Sequence, residues 1–299
     1  MSVGTHTSYG VPVWFIHLIS GGFAGCISKT IISPLDRVKI LFQTKHPKYE
    51  VVNLGVVGTL RKIVQNEGPF KLWRGNTATL ARIFPYASIQ FMSYEKYKKV
   101  ILGDAEGGSP HPLLHLICGS MAGATAVICT YPLDLMRARM ASQVDENIYR
   151  NILHGLQEQL KKEGIKGWYR GSSATLQGIL PYAGVNFSVY ETLKYYAPKN
   201  EKGQLDTPWK LLCGGIAGPI GQTVSYPWDV VRRRQQTWGF ATGTTEIKTW
   251  GVYRIMHQII QTEGVIGLYR GLSINYYKAT PTVAITFTSY ELIKAFLTF

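Results

Sequence analysis

Negative charge is what this sequence has least of. Its 299 residues hold 18 Asp and Glu against 32 Lys and Arg, a net charge of +14, and charged residues of both signs make up only 17%. So small a charged fraction, beside 45% hydrophobic residues and 31 glycines, does not suit an ordinary soluble enzyme. Cysteine is scarce too. Cys26, Cys118, Cys129 and Cys213 show no CxxC spacing and sit among small apolar residues, which points to buried reduced thiols rather than a disulfide framework or a thiolate metal site. Residues 1 to 13 contain neither Lys nor Arg, so they form no secretory n-region and no Arg-rich transit peptide, and targeting information is expected inside the chain. No Walker loop, metal-ligand cluster or nucleophile-base constellation is present. The expectation is a protein that is not an enzyme and needs no cofactor or metal. Uniform greasiness is missing as well: the mean hydropathy is close to zero, which fits six amphipathic spans around a wet cavity. The basic excess suits nucleic acid, an anionic membrane surface or a small anion, and composition alone does not choose.

What is present is repetition. "SPLDRVK" at Ser33 returns as "YPLDLMR" at Tyr131 and "YPWDVVR" at Tyr226, and "EGPFKLWRG" at Glu67 returns as "EGIKGWYRG" at Glu163 and "EGVIGLYRG" at Glu263. The copies lie roughly one hundred residues apart, so the chain divides into three tandem units, 1–108, 109–203 and 204–299. Hydrophilic joints, Gly103 to His111 and Ala197 to Pro208, separate them. Each unit holds two apolar spans. The odd spans run Trp14 to Leu35, Leu113 to Leu135 and Trp209 to Val230; the even spans run Asn76 to Tyr94, Ser172 to Tyr190 and Leu272 to Tyr290. Each approaches the ~20 residues that cross a hydrocarbon core. GxxxG recurs in every odd span (Gly21 and Gly25, Gly119 and Gly123, Gly214 and Gly218), which predicts close helix approach. A more polar segment ending in Glu-Gly, such as Leu54 to Gly68, predicts a short helix on the membrane surface. It is followed by aromatic-Arg-Gly, with Gly75, Gly171 and Gly271 at the start of the even helices. Free N–H groups there suit a lipid phosphate, and an interfacial aromatic belt with snorkelling Arg would account for the same residues.

These signatures, P-x-D-x-x-[KR] followed at a distance by E-G-x-x-x-x-[WY]-R-G, three times over the whole chain, resemble the mitochondrial carrier family. The resemblance implies an all-α membrane protein, a pseudo-threefold barrel of six transmembrane helices with short matrix surface helices. It also implies a multi-pass protein of the mitochondrial inner membrane, with both termini toward the intermembrane space, working as a monomer with cardiolipin as its lipid. No nucleic-acid polymer is expected as a partner.

In each odd helix an acid and a base stand three residues apart and share a face. By analogy with the family, Asp36 pairs with Arg137, Asp134 with Arg232 and Asp229 with Lys39 in a matrix gate. Gln43 and Gln236 resemble the bracing glutamines, and Ala141 replaces the third. The even helices end with Glu95 and Lys98, Glu191 and Lys194, Glu291 and Lys294, which resemble the cytoplasmic gate, with Tyr94, Tyr190 and Tyr290 as supporting aromatics. Ordinary local pairs worth about 0.2–0.5 kcal/mol each are the plain alternative.

A binding site for an asymmetric solute must break this symmetry. Counting from the prolines, Lys29, Arg82 and Lys278 are the charged residues well inside the spans, all positive, and are expected to have no acidic neighbours. They call for an anionic phosphorylated ligand. In the family, the positions of Arg82, Gly178-Ile179 and Lys278 contact substrate, and Gly-Ile resembles the adenine-nucleotide carriers. Gly178 would let a flat base approach the backbone, Tyr182 would stack on it, and Ser225 would donate a hydrogen bond. The wider sequence resembles the coenzyme A carrier branch. Gln235-Gln236-Thr237 after the Arg triplet speaks against the ADP/ATP exchangers, and no EF-hand stretch precedes the first span. The expected function is antiport of coenzyme A or a related adenine nucleotide. The open alternatives are an ATP, ADP or adenosine-bisphosphate carrier and a non-transporting scaffold.

Overall fold

A computed structural model describes residues 13–46, 49, 51–102, 112–144, 148–198, 205–238 and 251–298. The first twelve residues, the joint from Gly103 to His111 and positions 199–204 of the second joint lie outside the described residues, with the expectations made on them. Nine α-helices follow one another among the described residues: α1 (Val13–Thr44), α2 (Val51–Glu67), α3 (Asn76–Leu102), α4 (Pro112–Ser142), α5 (Ile152–Trp168), α6 (Ser172–Tyr196), α7 (Thr207–Thr237), α8 (Val252–Glu263) and α9 (Leu272–Thr298). Each third of the chain reads long, short, long.

At a rise of ~1.5 Å per residue the six long helices exceed the ~30 Å of a hydrocarbon core. Among the described residues only α4 is apolar enough by itself to read as a membrane span, with a mean hydropathy of 1.7 over an 18-residue stretch within Leu113–Ser142. The other five are interrupted by polar residues, as helices lining a wet cavity must be. Phe91, Leu180, Val283 and Phe287 are exposed, as lipid-facing side chains are. The even helix of each third packs along the odd helix of the next, α3 on α4 and α6 on α7, and α9 closes the ring on α1.

The odd helices run on past the spans expected from hydropathy, to Thr44, Ser142 and Thr237, and Pro34, Pro132 and Pro227 lie inside them. A proline there costs about 3 kcal/mol, partly by freeing a carbonyl. In the first third the carbonyl of Thr30, four residues before Pro34, accepts the indole N–H of Trp73 at 2.8 Å. In the other two, the residues before the prolines, Tyr131 and Tyr226, stack on Tyr169 and Tyr269 with centroids 6.1 and 6.4 Å apart. Their hydroxyls donate to the carbonyls of Arg170 at 2.8 Å and Arg270 at 2.9 Å.

The Glu-Gly motif is explained by backbone and charge together. Gly68, Gly164 and Gly264 have φ of 93°, 68° and 70°, a left-handed turn that breaks each surface segment. The glutamate before each turn binds an arginine of its own odd helix: Glu67 with Arg37 at 2.9 Å, Glu163 with Arg139 at 3.1 Å and Glu263 with Arg234 at 2.7 Å. Each of these arginines also donates to carbonyls at the C-terminal end of the next odd helix: Arg37 to Ala141 at 3.1 Å, Arg139 to Gln236 at 2.9 Å and Arg234 to Gln43 at 3.1 Å. Cations suit helix C-termini, so this ring ties the three odd helices to one another and to their surface helices.

The GxxxG glycines do not bring helices together in this conformation. A Cβ placed on Gly21, Gly119, Gly123, Gly214 or Gly218 would meet nothing within 4 Å, and one on Gly25 would reach Ile83 only at 3.9 Å. The close approaches fall on other glycines of the same helices: a Cβ on Gly22 would run into the Phe84 ring, and one on Gly221 would lie 3.2 Å from the Tyr182 carbonyl oxygen.

Candidate functional site

The odd helices converge at their Pro-Asp ends into a closed floor. Arg137 donates to Asp36 at 2.6 Å, Lys39 to Asp229 at 2.7 Å, and Arg232 to Asp134. All three pairs join different helices and are largely buried. Gln43 braces the second pair, reaching Asp229 at 3.0 Å and the Tyr226 hydroxyl at 3.1 Å. Gln236 does the same for Asp134 at 2.8 Å and Tyr131 at 3.0 Å. The third corner has Ser33 and Ala141 where the others have tyrosine and glutamine. There Lys278 donates to Asp36 at 2.7 Å.

Above the floor lies a cavity of about 600 Å³. Arg82, Gly178, Ile179, Tyr182, Ser225 and Lys278 all line it. Lys29 is outside that lining, though close enough to Asp36, Arg137 and Lys278 to feel their charges. The expectation that the cations lack acidic neighbours is overturned for two of them. Arg82 bonds Asp134 at 3.0 Å and Lys278 bonds Asp36 at 2.7 Å, because both cations reach down from the cavity wall to acids of the floor, so that Asp36 serves two cations and Asp134 three. Arg82 also lies over the ring of Tyr86, 4.8 Å from its centroid.

A Cβ on Gly178 would come within 3.1 Å of the Trp228 Cβ, so this cavity-lining glycine makes room for that side chain. Ser225 donates to the Gln222 carbonyl at 3.3 Å. Trp228 and Asn275 are among the cavity residues that escaped the sequence reading. Their signal was available, since Trp228 stands where the other thirds have Leu35 and Leu133, and Asn275 where they have Thr79 and Thr175.

At the Tyr-Glu ends of the even helices the barrel is open. Among the described residues no ion pair there joins one even helix to another. Glu191 meets Lys194 of its own helix at 3.2 Å. Glu95, Lys98 and Glu291 are exposed, and Lys294 lies over the Tyr290 ring at 6.0 Å. The Tyr94 hydroxyl shares a hydrogen bond with His115 at 3.1 Å, and Tyr190 lines a side pocket of about 460 Å³ that borders the main cavity through Tyr86, Val127, Ile179 and Tyr182.

Gly75, Gly171 and Gly271 begin the even helices with φ of 88°, 84° and 82°. Each presses on the next odd helix: a Cβ at Gly75 would lie 2.8 Å from the Arg137 carbonyl oxygen, and one at Gly171 3.1 Å from that of Arg232. Packing thus demands glycine at Gly75 and Gly171, while at Gly271, where the Lys39 carbonyl oxygen would lie 3.5 Å away, the positive φ does so. Beside Gly75 a pocket of about 570 Å³, lined by Trp73, Arg74 and Asn151 among others, opens between the first two thirds.

A closed floor of threefold charge pairs under a cationic cavity is the geometry of a transporter that shuts one end at a time. The family model for mitochondrial carrier proteins matches residues 11–105, 108–201 and 203–299. The chain belongs to the mitochondrial carrier family. It is therefore a multi-pass transporter of the mitochondrial inner membrane and not an enzyme, and its six long helices form the carrier barrel. The carrier is 46% identical to mitochondrial substrate carrier family protein P of Dictyostelium discoideum, over 95% of each chain. It is 45% identical to solute carrier family 25 member 16 of Mus musculus, over 95% of this chain and 88% of that one. It is 43% identical to the mitochondrial coenzyme A transporter of Xenopus tropicalis, over 94% of this chain and 85% of that one.

Proposed function

We propose that the carrier exchanges coenzyme A, or a related adenine nucleotide, by alternating access between two charge gates. The observation that carries this reading is the double engagement of the floor aspartates. Arg82 and Lys278 line the cavity, yet they are bonded to Asp134 and Asp36, the acids that close the floor. A polyphosphate entering from the open end takes these two cations for itself and withdraws two bonds from the closed gate. Substrate thus binds the conformer on the way to opening more tightly than the closed one, which is what shifts such an equilibrium. Lys29 adds a third positive charge for phosphate, while Ile179 and Tyr182 offer an apolar and stacking surface for the base. The relatives named for coenzyme A transport support that substrate first.

The floor built by the odd helices faces the matrix in this reading, and the open end, with both termini, faces the intermembrane space. Glu95, Lys98, Glu191, Lys194, Glu291 and Lys294 close that end when the floor opens. Cardiolipin binds at the starts of the even helices around Gly75, Gly171 and Gly271, and the monomer is the working unit.

Liposomes containing the purified carrier, loaded in turn with coenzyme A, ADP or adenosine bisphosphate, test the proposal. Saturable counter-exchange of coenzyme A is the expected result. Exchange of ADP without coenzyme A would favour a general adenine-nucleotide carrier, a reading that the purely phosphate-directed chemistry of Arg82 and Lys278 also fits. No exchange of any phosphorylated solute would leave the scaffold reading, in which Arg82→Ala and Lys278→Ala leave function untouched.

A further inference from the structure

Asn275 lies on α9 one turn before Lys278, is 2% exposed and lines the cavity. Neither its amide oxygen nor its amide nitrogen has a partner. The matching positions of the other thirds are self-satisfied: Thr79 returns its hydroxyl to the Gly75 carbonyl at 3.3 Å, and Thr175 to that of Gly171 at 3.1 Å. The threefold pattern therefore gives a satisfied hydroxyl twice and an unused donor-acceptor pair once. Leaving both groups of a buried amide unmatched is costly, and buried polar groups are nearly always bonded. Trp228 on α7 repeats the pattern, with a buried indole N–H that has no partner in the wall of the same cavity.

We infer that Asn275 reads the edge of the purine base, an assignment that rests on the adenine-nucleotide reading above. A primary amide presents one acceptor and one donor side by side in a plane. A phosphate offers acceptors alone and leaves the amide oxygen facing an anion. A ribose hydroxyl, with its single hydrogen, answers the oxygen but leaves the spacing unmatched. Adenine sets its exocyclic amino group beside a ring nitrogen, and asparagine pairs with that edge through two hydrogen bonds. The base then lies with its edge on Asn275 and its phosphates toward Lys278, one helical turn away. The Trp228 N–H supplies a further donor for a ring nitrogen.

The test is a chemical cycle on the full-length carrier in detergent, reading binding of ADP and of the analogue in which hydrogen replaces the exocyclic amino group. Asn275→Thr is the informative variant, because threonine already occupies the matching positions of this barrel and its hydroxyl can return to the Gly271 carbonyl. The wild type should prefer ADP on the order of tenfold, and Asn275→Thr should bring the ratio close to one. Damage to packing alone would weaken both ligands equally and leave the ratio intact, which overturns the assignment. An equal affinity of the wild type for the two ligands overturns it as well. If the wild type binds coenzyme A but neither nucleotide, the assignment alone falls; if it binds none of the three, the substrate reading falls and takes this one with it.

Discussion

The floor and the mouth of the barrel use the same vocabulary, an acid and a base one helical turn apart, and reach opposite outcomes. At the floor the acid of one helix finds the base of the next, in surroundings where the Asp134 side chain is 1% exposed. At the mouth Lys194 turns back to Glu191 of its own helix, with side chains 46% and 38% exposed. Breaking a buried pair leaves a desolvated charge and costs about 3–5 kcal/mol, whereas an exposed local pair is worth at most about 1 kcal/mol. Which end is shut is thus a matter of helix convergence, because residue type is the same at both. A carrier that alternates must be able to exchange these roles, so the comparison can be broken or sharpened by mutation.

The largest effect is expected at the most crowded acid. Asp134 holds Arg82, Arg232 and Arg233 together, and Asp134→Asn leaves three cations without their shared anion. The thermal midpoint, followed by labelling of the buried Cys118 and Cys213 thiols, should fall on the order of ten degrees. An unchanged midpoint would mean that the floor is not closed in solution. Next comes Lys278, which is both a cavity cation and the brace of Asp36. Lys278→Ala should cut exchange on the order of a hundredfold, about 2.7 kcal/mol. Lys278→Arg, which can still reach the carboxylate, should retain part of it. Equal loss in both variants would separate phosphate binding from the floor.

A smaller effect should follow from the braces. Gln236→Ala and Gln43→Ala each remove a hydrogen bond to a buried carboxylate, worth about 1.5 kcal/mol. Both should lower the thermal midpoint by a few degrees and speed opening of the floor, read as faster exchange at saturating substrate. The corner at Asp36 and Arg137, with Ser33 and Ala141, already lacks such a brace and is expected to part first. Slower exchange in both variants would contradict this account.

The repeats made much of this legible in advance. Three copies at constant spacing gave the helix count, and the resemblance to the family, applied to an acid and a base that share a face, implied the cross-helix pairs that join Asp36 to Arg137 and Asp229 to Lys39. The departures come from contacts that spacing does not encode. Arg37 does the work of Arg139 and Arg234 from a different place in its repeat, next to the aspartate, where Leu135 and Val230 stand in the others. Only the three recurring glutamates, Glu67, Glu163 and Glu263, hinted that each needed a cation. Trp73 bonds the Thr30 carbonyl where the other thirds stack two tyrosines, and Ser33 stands in the place of Tyr131 and Tyr226, a change whose consequence spacing did not show. The bonds from Arg82 and Lys278 to the floor acids were missed because each joins an even helix to an odd helix of another third, and spacing within one repeat says nothing about how far a cavity cation reaches toward that acid.

The mouth supplies the last and smallest expected change. Glu191→Gln removes a pair that lies on one helix in water, so the thermal midpoint should move by no more than about a degree, within the ~0.5 kcal/mol of such pairs. Exchange is the discriminating readout. If Glu191 joins a neighbouring helix only after the floor has opened, the variant loses stability in that second conformer alone, and exchange should slow several-fold while the resting midpoint stays put. A fall in midpoint comparable to that of Asp134→Asn would show instead that the mouth is already bonded in solution, and the division of labour between the two ends would have to be given up.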